Sequence, residues 1–562
     1  MLVVLLNVIY IAAISFGIGA LLLYGLNRII GHREYSLITY VISGAVTITV
    51  FVEFYSIIGK IGAVPHIIML LLCMCGYWLD KKQITKILKT AKKVIFSWEG
   101  LFYVGFVIFL TFFASRGEFH TDTNIYHAAA IRMYEEYGLI KGMGNLQLHY
   151  AYNSSSIAFA SIFSLNWLFG TSIHATTCFF EVISGIYALY GLKRYREHEY
   201  HLADASKVGI LLYILVCLYR SMSPATDYAT LIVALMVISL WCDNMERDRS
   251  TYKYALLSVL AVFVMTMKFS ACILLIITIY PLIVLIRNKN WREIVVYLLM
   301  GVIVVAPFLA RNVIISGYLL YPVDMIDWFN VEWKIPLDYM KYDADQIKVW
   351  GKCLFDVQYA DMPVREWLPV WIDYKERYEL MLLYGICAGT VFNLVYVVKS
   401  FVKKIEFRWE SISLYIAIMG CLAVWFFEAP FIRYGLAFIF AIIFIPLGWF
   451  ASEKHKGLWG IITGVVAFGT VACITPYFNN YITDMGVFIK QNVRAPYYIE
   501  QKPYDDGETS SVIINGNTIY YCSDTRELNS YYHFPNTCYY PMLERTTLIG
   551  DTIEDGFKPK WG

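Results

Sequence analysis

Long apolar runs separated by short polar ones dominate this chain, and only in a few places does the polar spacing widen to tens of residues. A helix needs about 20 apolar residues to cross a hydrocarbon core. On that measure the pattern predicts fourteen spans, near 2–26, 36–58, 61–79, 99–115, 173–192, 207–221, 228–242, 254–268, 269–286, 293–310, 380–398, 411–427, 432–450 and 457–475. The first run has no basic residue after Met1 and no small-residue cleavage site, so it reads as a retained span. The run 156–170 is too short and lies too close to the next one to span as well; it predicts a helix in the outer leaflet, or one re-entering from it. Segments 116–155, 311–378 and 477–562 remain as sizeable loops, all on one side. Within the last, Ser511–Ile514 and Thr518–Tyr521 flank an Asn-Gly pair, a hairpin signal, and predict a small domain of mixed or β character.

Charge orients this set. Seven alternate loops (27–35, 80–98, 193–207, 243–253, 287–293, 399–410 and 451–456) carry 24 of the 46 Lys and Arg residues in about a sixth of the chain, which assigns them to the cytoplasm. The three long segments and both termini are then external. Of the 562 residues 58% are hydrophobic and 16% charged, with a mean hydropathy of +0.54, which excludes a single soluble domain. A net charge of +2 argues against a nucleic-acid partner. The expected fold is therefore an all-α polytopic membrane protein of about fourteen helices with external juxtamembrane helices and a small external C-terminal α/β or β-rich domain. Its expected divisions are an N-terminal three-helix extension (1–98), a transmembrane module (99–475) and the C-terminal domain (476–562).

No phosphate-binding glycine loop or dinucleotide fingerprint occurs. Most cysteines fall in spans; Cys522 and Cys538 are external, where two free thiols are favoured over the disulfide that an oxidising compartment would allow. Asp343-Ala-Asp345 has an acid-x-acid form used for metal binding, but its place in an external polar stretch favours a solvated loop face. The external tryptophans Trp328, Trp333, Trp350, Trp367 and Trp371 suit an interfacial belt better than sugar stacking. Chemistry concentrates just after the span ending at Ser115, in Arg116-Gly-Glu-Phe-His-Thr-Asp-Thr-Asn-Ile-Tyr-His127. Here Asp122 opens a predicted helix that brings Tyr126 and His127 near it. Asp122 as a helix cap is an even alternative, and for Asp227 capping is favoured over a place in the site. Glu181, in mid-span, reads as a packing residue.

An apolar span, an external acid, a short amphipathic helix, the glycine turn 137–144, Asn153 to Ser156, a short apolar helix, Gly170 and a span ending in Lys-Arg follow in order. This series resembles the opening module of the GT-C class of integral membrane glycosyltransferases. Lys268-Phe-Ser270, Asp227, Arg311-Asn312 through Tyr321-Pro322, and Pro430-Phe-Ile-Arg433-Tyr-Gly435 extend the likeness, the last two toward uncharacterised bacterial members linked to surface-polysaccharide synthesis. The resemblance implies an inverting glycosyltransferase of the bacterial inner (plasma) membrane, its site facing the periplasm or exterior. The donor is a sugar on a polyprenyl phosphate and the acceptor a lipid-linked or other glycan. Asp122 is the implied base, Lys268, Arg311 and Arg433 hold the donor phosphate, and Glu118, Tyr126, His127, His149, Asn153 and Asp227 line the sugar or acceptor site. The class often has paired acids in the first loop where this chain has Asp122 between two threonines, so a divalent metal ion is left open as a cofactor. A polysaccharide polymerase and a lipid-linked sugar flippase or transporter are the alternatives. Transport predicts charges at several span centres, and Glu181 alone is clearly so placed.

Overall fold

The computed structural model describes residues 1–192, 201–402, 408–454, 500–504, 507–523 and 531–560. Among these residues nine helices are long and apolar enough to cross a membrane, and a tenth span results if the bent pair Ala63–Leu79 and Lys81–Ile95 is one crossing. Three further predicted spans coincide with the shorter apolar helices Thr176–Leu192, Thr251–Met267 and Ile432–Gly448, and 457–475 lies outside the described residues. The polytopic helical architecture is thus established. The count of fourteen is not confirmed: nine or ten helices among the described residues have spanning length, and hydropathy also marks the three shorter apolar helices.

Leu2–Ile30 and Leu37–Ile58 cross backbone to backbone. A Cβ on Gly19 would stand 1.8 Å from the Tyr40 carbonyl oxygen, and one on Gly44 1.7 Å from that of Ser15, so only glycine allows this approach. The N-terminal helices are part of the main bundle rather than an appendage. Asn7 donates to the Phe163 carbonyl (2.8 Å), the Ile61 amide to Tyr134 (2.8 Å), and Ser155 Oγ to Glu53 (2.7 Å). Lys81–Ile95 turns 89° from its predecessor at Asp80 and carries its lysines on an amphipathic helix. At the same end of the bundle Arg33 pairs with Glu293 at 3.2 Å, bringing together two loops that the charge pattern places on one side.

Ser155–Phe163 is buried along its whole length. It packs in the protein interior; only its continuation at Trp167, Leu168 and Phe169 is exposed. Buried on all sides, its backbone and polar groups are satisfied within the protein, as for Ser154, which bonds the Ser156 amide and the Met267 carbonyl.

The C-terminal residues contain the expected hairpin: β1 (Thr509–Ile514) and β2 (Asn517–Cys522) pair antiparallel across Asn515-Gly516, both at positive φ. β3 (Asn536–Thr537) joins β2 in parallel, and β4 (Thr546–Leu548) pairs with β5 (Phe557–Pro559). This layer is seated on the first long loop, 116–155. Tyr150 donates to Asn536, Gln147 Oε1 accepts from the Cys538 amide, Thr546 bonds the Asn145 carbonyl, and the Phe557 amide bonds Lys141. Cys522 and Cys538 are both buried.

Candidate functional site

The loop after Trp98–Arg116 is tied to the turn preceding the Thr226–Glu246 helix. The Glu118 amide donates to the Tyr219 carbonyl at 2.9 Å, the His120 amide to Ser223 Oγ at 3.3 Å, and Thr123 and Ser223 share a hydroxyl bond of 2.6 Å. One wide turn of π-helix, Thr123–His127, follows and runs into Ala128–Glu136. Asp122 already has helical backbone angles and its carboxylate makes no capping bond. Capping is therefore not its role here. The carboxylate meets Arg433 instead, with Nη2 donating at 2.9 Å, while Arg433 Nη1 lies 3.1 Å from His120 Nδ1.

Arg433 also brings in Asp227. Its Nε is 3.5 Å from Asp227 Oδ2, and the other Asp227 oxygen accepts a bond from Lys268. Ala225, not Asp227, occupies the cap position of the Thr226–Glu246 helix. Tyr434 completes the group: its hydroxyl accepts from Arg433 Nη2 at 3.0 Å, and the Lys268 ammonium stands 3.5 Å from its ring centroid. Residues 122, 227, 268 and 433 thus meet at one end of the bundle, each at the terminus of a different helix. Two acids alternate with two cations, and two helix N-termini, Thr226–Glu246 and Ile432–Lys454, open toward the group. Burial alone would raise the Asp122 pKa, but the His120 hydrogen bond and the Arg433 charge outweigh it and hold the carboxyl well below its ordinary range.

Tyr126 links this group to a second one. Its ring lies 4.0 Å from that of His127, 5.1 Å from His149 and 6.1 Å from Tyr152. His127 is buried, which pushes its pKa down to about 3 and keeps the imidazole neutral. Behind Tyr152 lies Asp343. The expectation of a solvated face at Asp343-Ala-Asp345 is corrected, since the Asp343 side chain is 1% exposed and accepts bonds from Tyr152 (2.5 Å) and Tyr321 (2.8 Å). Burial raises its pKa despite these bonds and nearby His149. Asp345 faces outward beside Lys348.

The remaining expected site residues lie elsewhere. Arg311 is fully buried, 3.5 Å from Glu53 Oε1 and 4.8 Å from the Tyr134 ring centroid, so its charge is directed at an interior carboxylate rather than at the Asp122 group. Glu118 is 63% exposed at the rim, 3.7 Å from Arg220. Asn153 donates to the Phe308 carbonyl (2.9 Å) and ties the segment before Ser155–Phe163 to the Trp291–Ser316 helix. Trp367 and Trp371 are buried rather than interfacial. Trp371 Nε1 donates to the Pro430 carbonyl (3.1 Å), which anchors the turn before Arg433. Among the described residues no group of three or more His, Cys, Asp and Glu gathers in a way that could hold a metal ion. A groove of about 820 Å³ lined by Leu202, Asn393, Tyr396, Arg408 and Ser411 contains none of the expected residues.

Sequence reasoning did not place His120, Tyr434, Asp343 or Tyr321 in the site. The first two adjoin expected residues, and Tyr321 lies in a stretch already quoted for the resemblance. For Asp343 the acid-x-acid spacing was the only signal. The chain matches a model for a domain of unknown function, DUF8201, over residues 1–440, and belongs to that family. No curated protein and no solved structure matches it.

Proposed function

We propose that this DUF8201 protein is a membrane glycosyltransferase of the GT-C type, moving a sugar from a polyprenyl-phosphate donor to a glycan acceptor. The observation that carries the reading is Arg433 shared between Asp122 and Asp227, with Lys268 alongside, at the end of the bundle. A lipid phosphate reaches such helix ends, and an Arg with a Lys, beside two helix N-termini, is a phosphate-binding arrangement. In the transfer, an acceptor hydroxyl oxygen forms the new bond to the anomeric carbon while the bond from that carbon to the phosphate oxygen breaks. The electron pair leaves with the polyprenyl phosphate, whose added charge is met by Lys268 and Arg433. The acceptor proton goes to Asp122.

In the unliganded protein Asp122 is a weak base, because Arg433 and His120 stabilise its ionised form. A donor phosphate competes for the same guanidinium. Once Arg433 turns to the phosphate, Asp122 loses its main counter-charge and its basicity rises, so donor binding itself prepares the base. A resident metal ion is not needed for this charge balance, since Arg433 bridges the two carboxylates. The charge pattern assigns this end of the bundle to the outside, and a bacterial plasma membrane fits the resemblance.

The test is transfer by the purified full-length protein in nanodiscs, supplied with a panel of polyprenyl-phosphate sugars and glycan acceptors. Product formation that Asp122→Asn abolishes supports the reading. Absence of product over the panel, together with translocation of a lipid-linked sugar across a vesicle bilayer, replaces it with transport.

A further inference from the structure

The second polar group is built differently from the first and needs its own explanation. Asp343 sits on Leu337–Gly351, the helix after the long external loop, with its side chain almost wholly buried. Two tyrosine hydroxyls donate to the same oxygen, Oδ2, and the other, Oδ1, lies 3.9 Å from His149 Nε2. His149 is half-buried, its side chain 21% exposed, and its Nδ1 has no hydrogen-bond partner. Its ring is walled by Tyr126 at 5.1 Å, Tyr152 at 5.6 Å and Tyr539 at 5.9 Å.

Burying a carboxylate is costly, and apolar residues of the same volume would usually pack at least as well. A buried acid set behind a less buried imidazole is the arrangement that fixes a histidine's tautomer and orientation for a ligand. The chemistry around it narrows that ligand. Flat tyrosine faces suit the C–H face of a ring, and an imidazole whose Nε2 faces Asp343 leaves Nδ1 to accept a hydrogen bond from a hydroxyl group. The joining residue is Tyr126, whose other face lies on His127 beside the Asp122 group.

We propose that His149, held from behind by Asp343 and flanked by Tyr126, Tyr152 and Tyr539, forms a sugar-binding subsite adjoining the phosphate-binding group. His149 touches the sugar hydroxyls; Asp343 is a positioning residue that acts through Tyr152, which it holds by a hydrogen bond, and through His149, 3.9 Å away. As part of a transferase the subsite rests on the reading above, but its geometry and its test stand apart from the transfer step. The shared chemistry is a pyranose ring, whether it arrives on the donor or on the acceptor.

The experiment is saturation-transfer NMR on the full-length protein in nanodiscs, using methyl glycosides and 1-phosphates of glucose, galactose, mannose, N-acetylglucosamine and rhamnose. At least one sugar is expected to show transfer that falls fivefold or more in His149→Ala, Asp343→Asn and Tyr152→Phe, and persists in Lys86→Gln at the far end of the bundle. Because Asp343 acts through His149 and Tyr152, Asp343→Asn adds nothing in the His149→Ala, Tyr152→Phe background, whereas a general weakening of the fold would add. The milder Tyr152→Phe keeps the test open should Asp343→Asn fold poorly. A preference for 1-phosphates that Arg433→Ala removes identifies the donor ring; equal binding of methyl glycosides, indifferent to Arg433→Ala, identifies the acceptor ring. No transfer from any sugar, or transfer unchanged in the three variants, overturns the subsite. Sugar binding without catalytic transfer overturns the transferase reading and leaves the subsite standing.

Discussion

Replacing Asp122 by Asn removes a charge at almost constant shape, and the geometry predicts opposite effects on binding and on turnover. Arg433 Nη2 donates to Asp122 Oδ2 at 2.9 Å, with side chains 24% and 23% exposed. Opposite charges about 4 Å apart attract by about 4 kcal/mol at an effective dielectric near 20, before desolvation is subtracted. Exposed pairs net about 0–1 kcal/mol, while removing one partner of a deeply buried pair costs about 3–5 kcal/mol. A pair a quarter exposed falls between, at about 1–2 kcal/mol, or roughly tenfold in an equilibrium constant. That attraction is what a donor phosphate must displace. Asp122→Asn should therefore bind farnesyl phosphate, a soluble stand-in for the donor lipid, about tenfold more tightly than the native protein. Turnover should fall by about 10²–10⁴-fold with the loss of a general base. Calorimetric titration of farnesyl phosphate into the nanodisc-bound protein gives the first number and a single-turnover transfer assay the second. Weaker phosphate binding in the variant would refute the competition, and native turnover would refute Asp122 as the proton acceptor.

Arg433→Lys keeps the charge but cannot reach Asp122 and Asp227 together, so farnesyl phosphate affinity should drop about tenfold or more, measured by the same titration; native affinity would remove Arg433 from the phosphate site. Glu135 lies outside the spans and its pKa is raised from 4.5 to about 7 by burial, although Ser172 hydrogen-bonds both carboxylate oxygens at 2.8 Å. The folded state then keeps a proton that the unfolded chain releases, so stability is fully present below about pH 4.5 and declines as pH rises to about 7, by about 3 kcal/mol at most. The apparent Tm in detergent should fall between pH 5 and pH 7.5 and the fall should be smaller in Glu135→Gln; equal slopes would reject the assignment. Arg311→Met alone should destabilise by about 3–5 kcal/mol because it strands Glu53, and Glu53→Leu with Arg311→Met should recover most of the loss in thermal unfolding. That double variant should bind farnesyl phosphate with native affinity, and a tenfold loss would return Arg311 to the phosphate site.

The spans were legible because a bilayer imposes length and apolarity on each helix separately. A local signal suffices for that, and the same holds for the Asn515-Gly516 hairpin, whose turn chemistry lies within the residues that form it. The number of crossings was less legible. Thr176–Leu192, Thr251–Met267 and Ile432–Gly448 are apolar enough to be counted, yet short. The meeting of Asp122, Lys268 and Arg433 was legible for a reason of topology: each stands at a helix end on the side that the loop charges make common, and ends that share a side have few places to go; Asp227 joins them although capping was the favoured reading of it.

Arg311 passed the same reasoning and was misplaced. Its partner Glu53 lies in the second helix, 258 positions earlier, and nothing local marks that helix as a neighbour. Asp343 failed in the other direction. Its surroundings in sequence are polar, and the burial that makes it informative comes from Tyr152 and Tyr321, brought in by other segments. Charge at a helix end thus announces itself in the sequence, while the partner that consumes the charge does not. Arg311 and Arg433 differ in partner and in burial. Arg311 faces a carboxylate sealed in the interior, where no lipid phosphate competes for it. Arg433 faces two carboxylates at the bundle end, one of them in a side chain still a quarter exposed, and only there can an incoming phosphate exchange with the acid already bound.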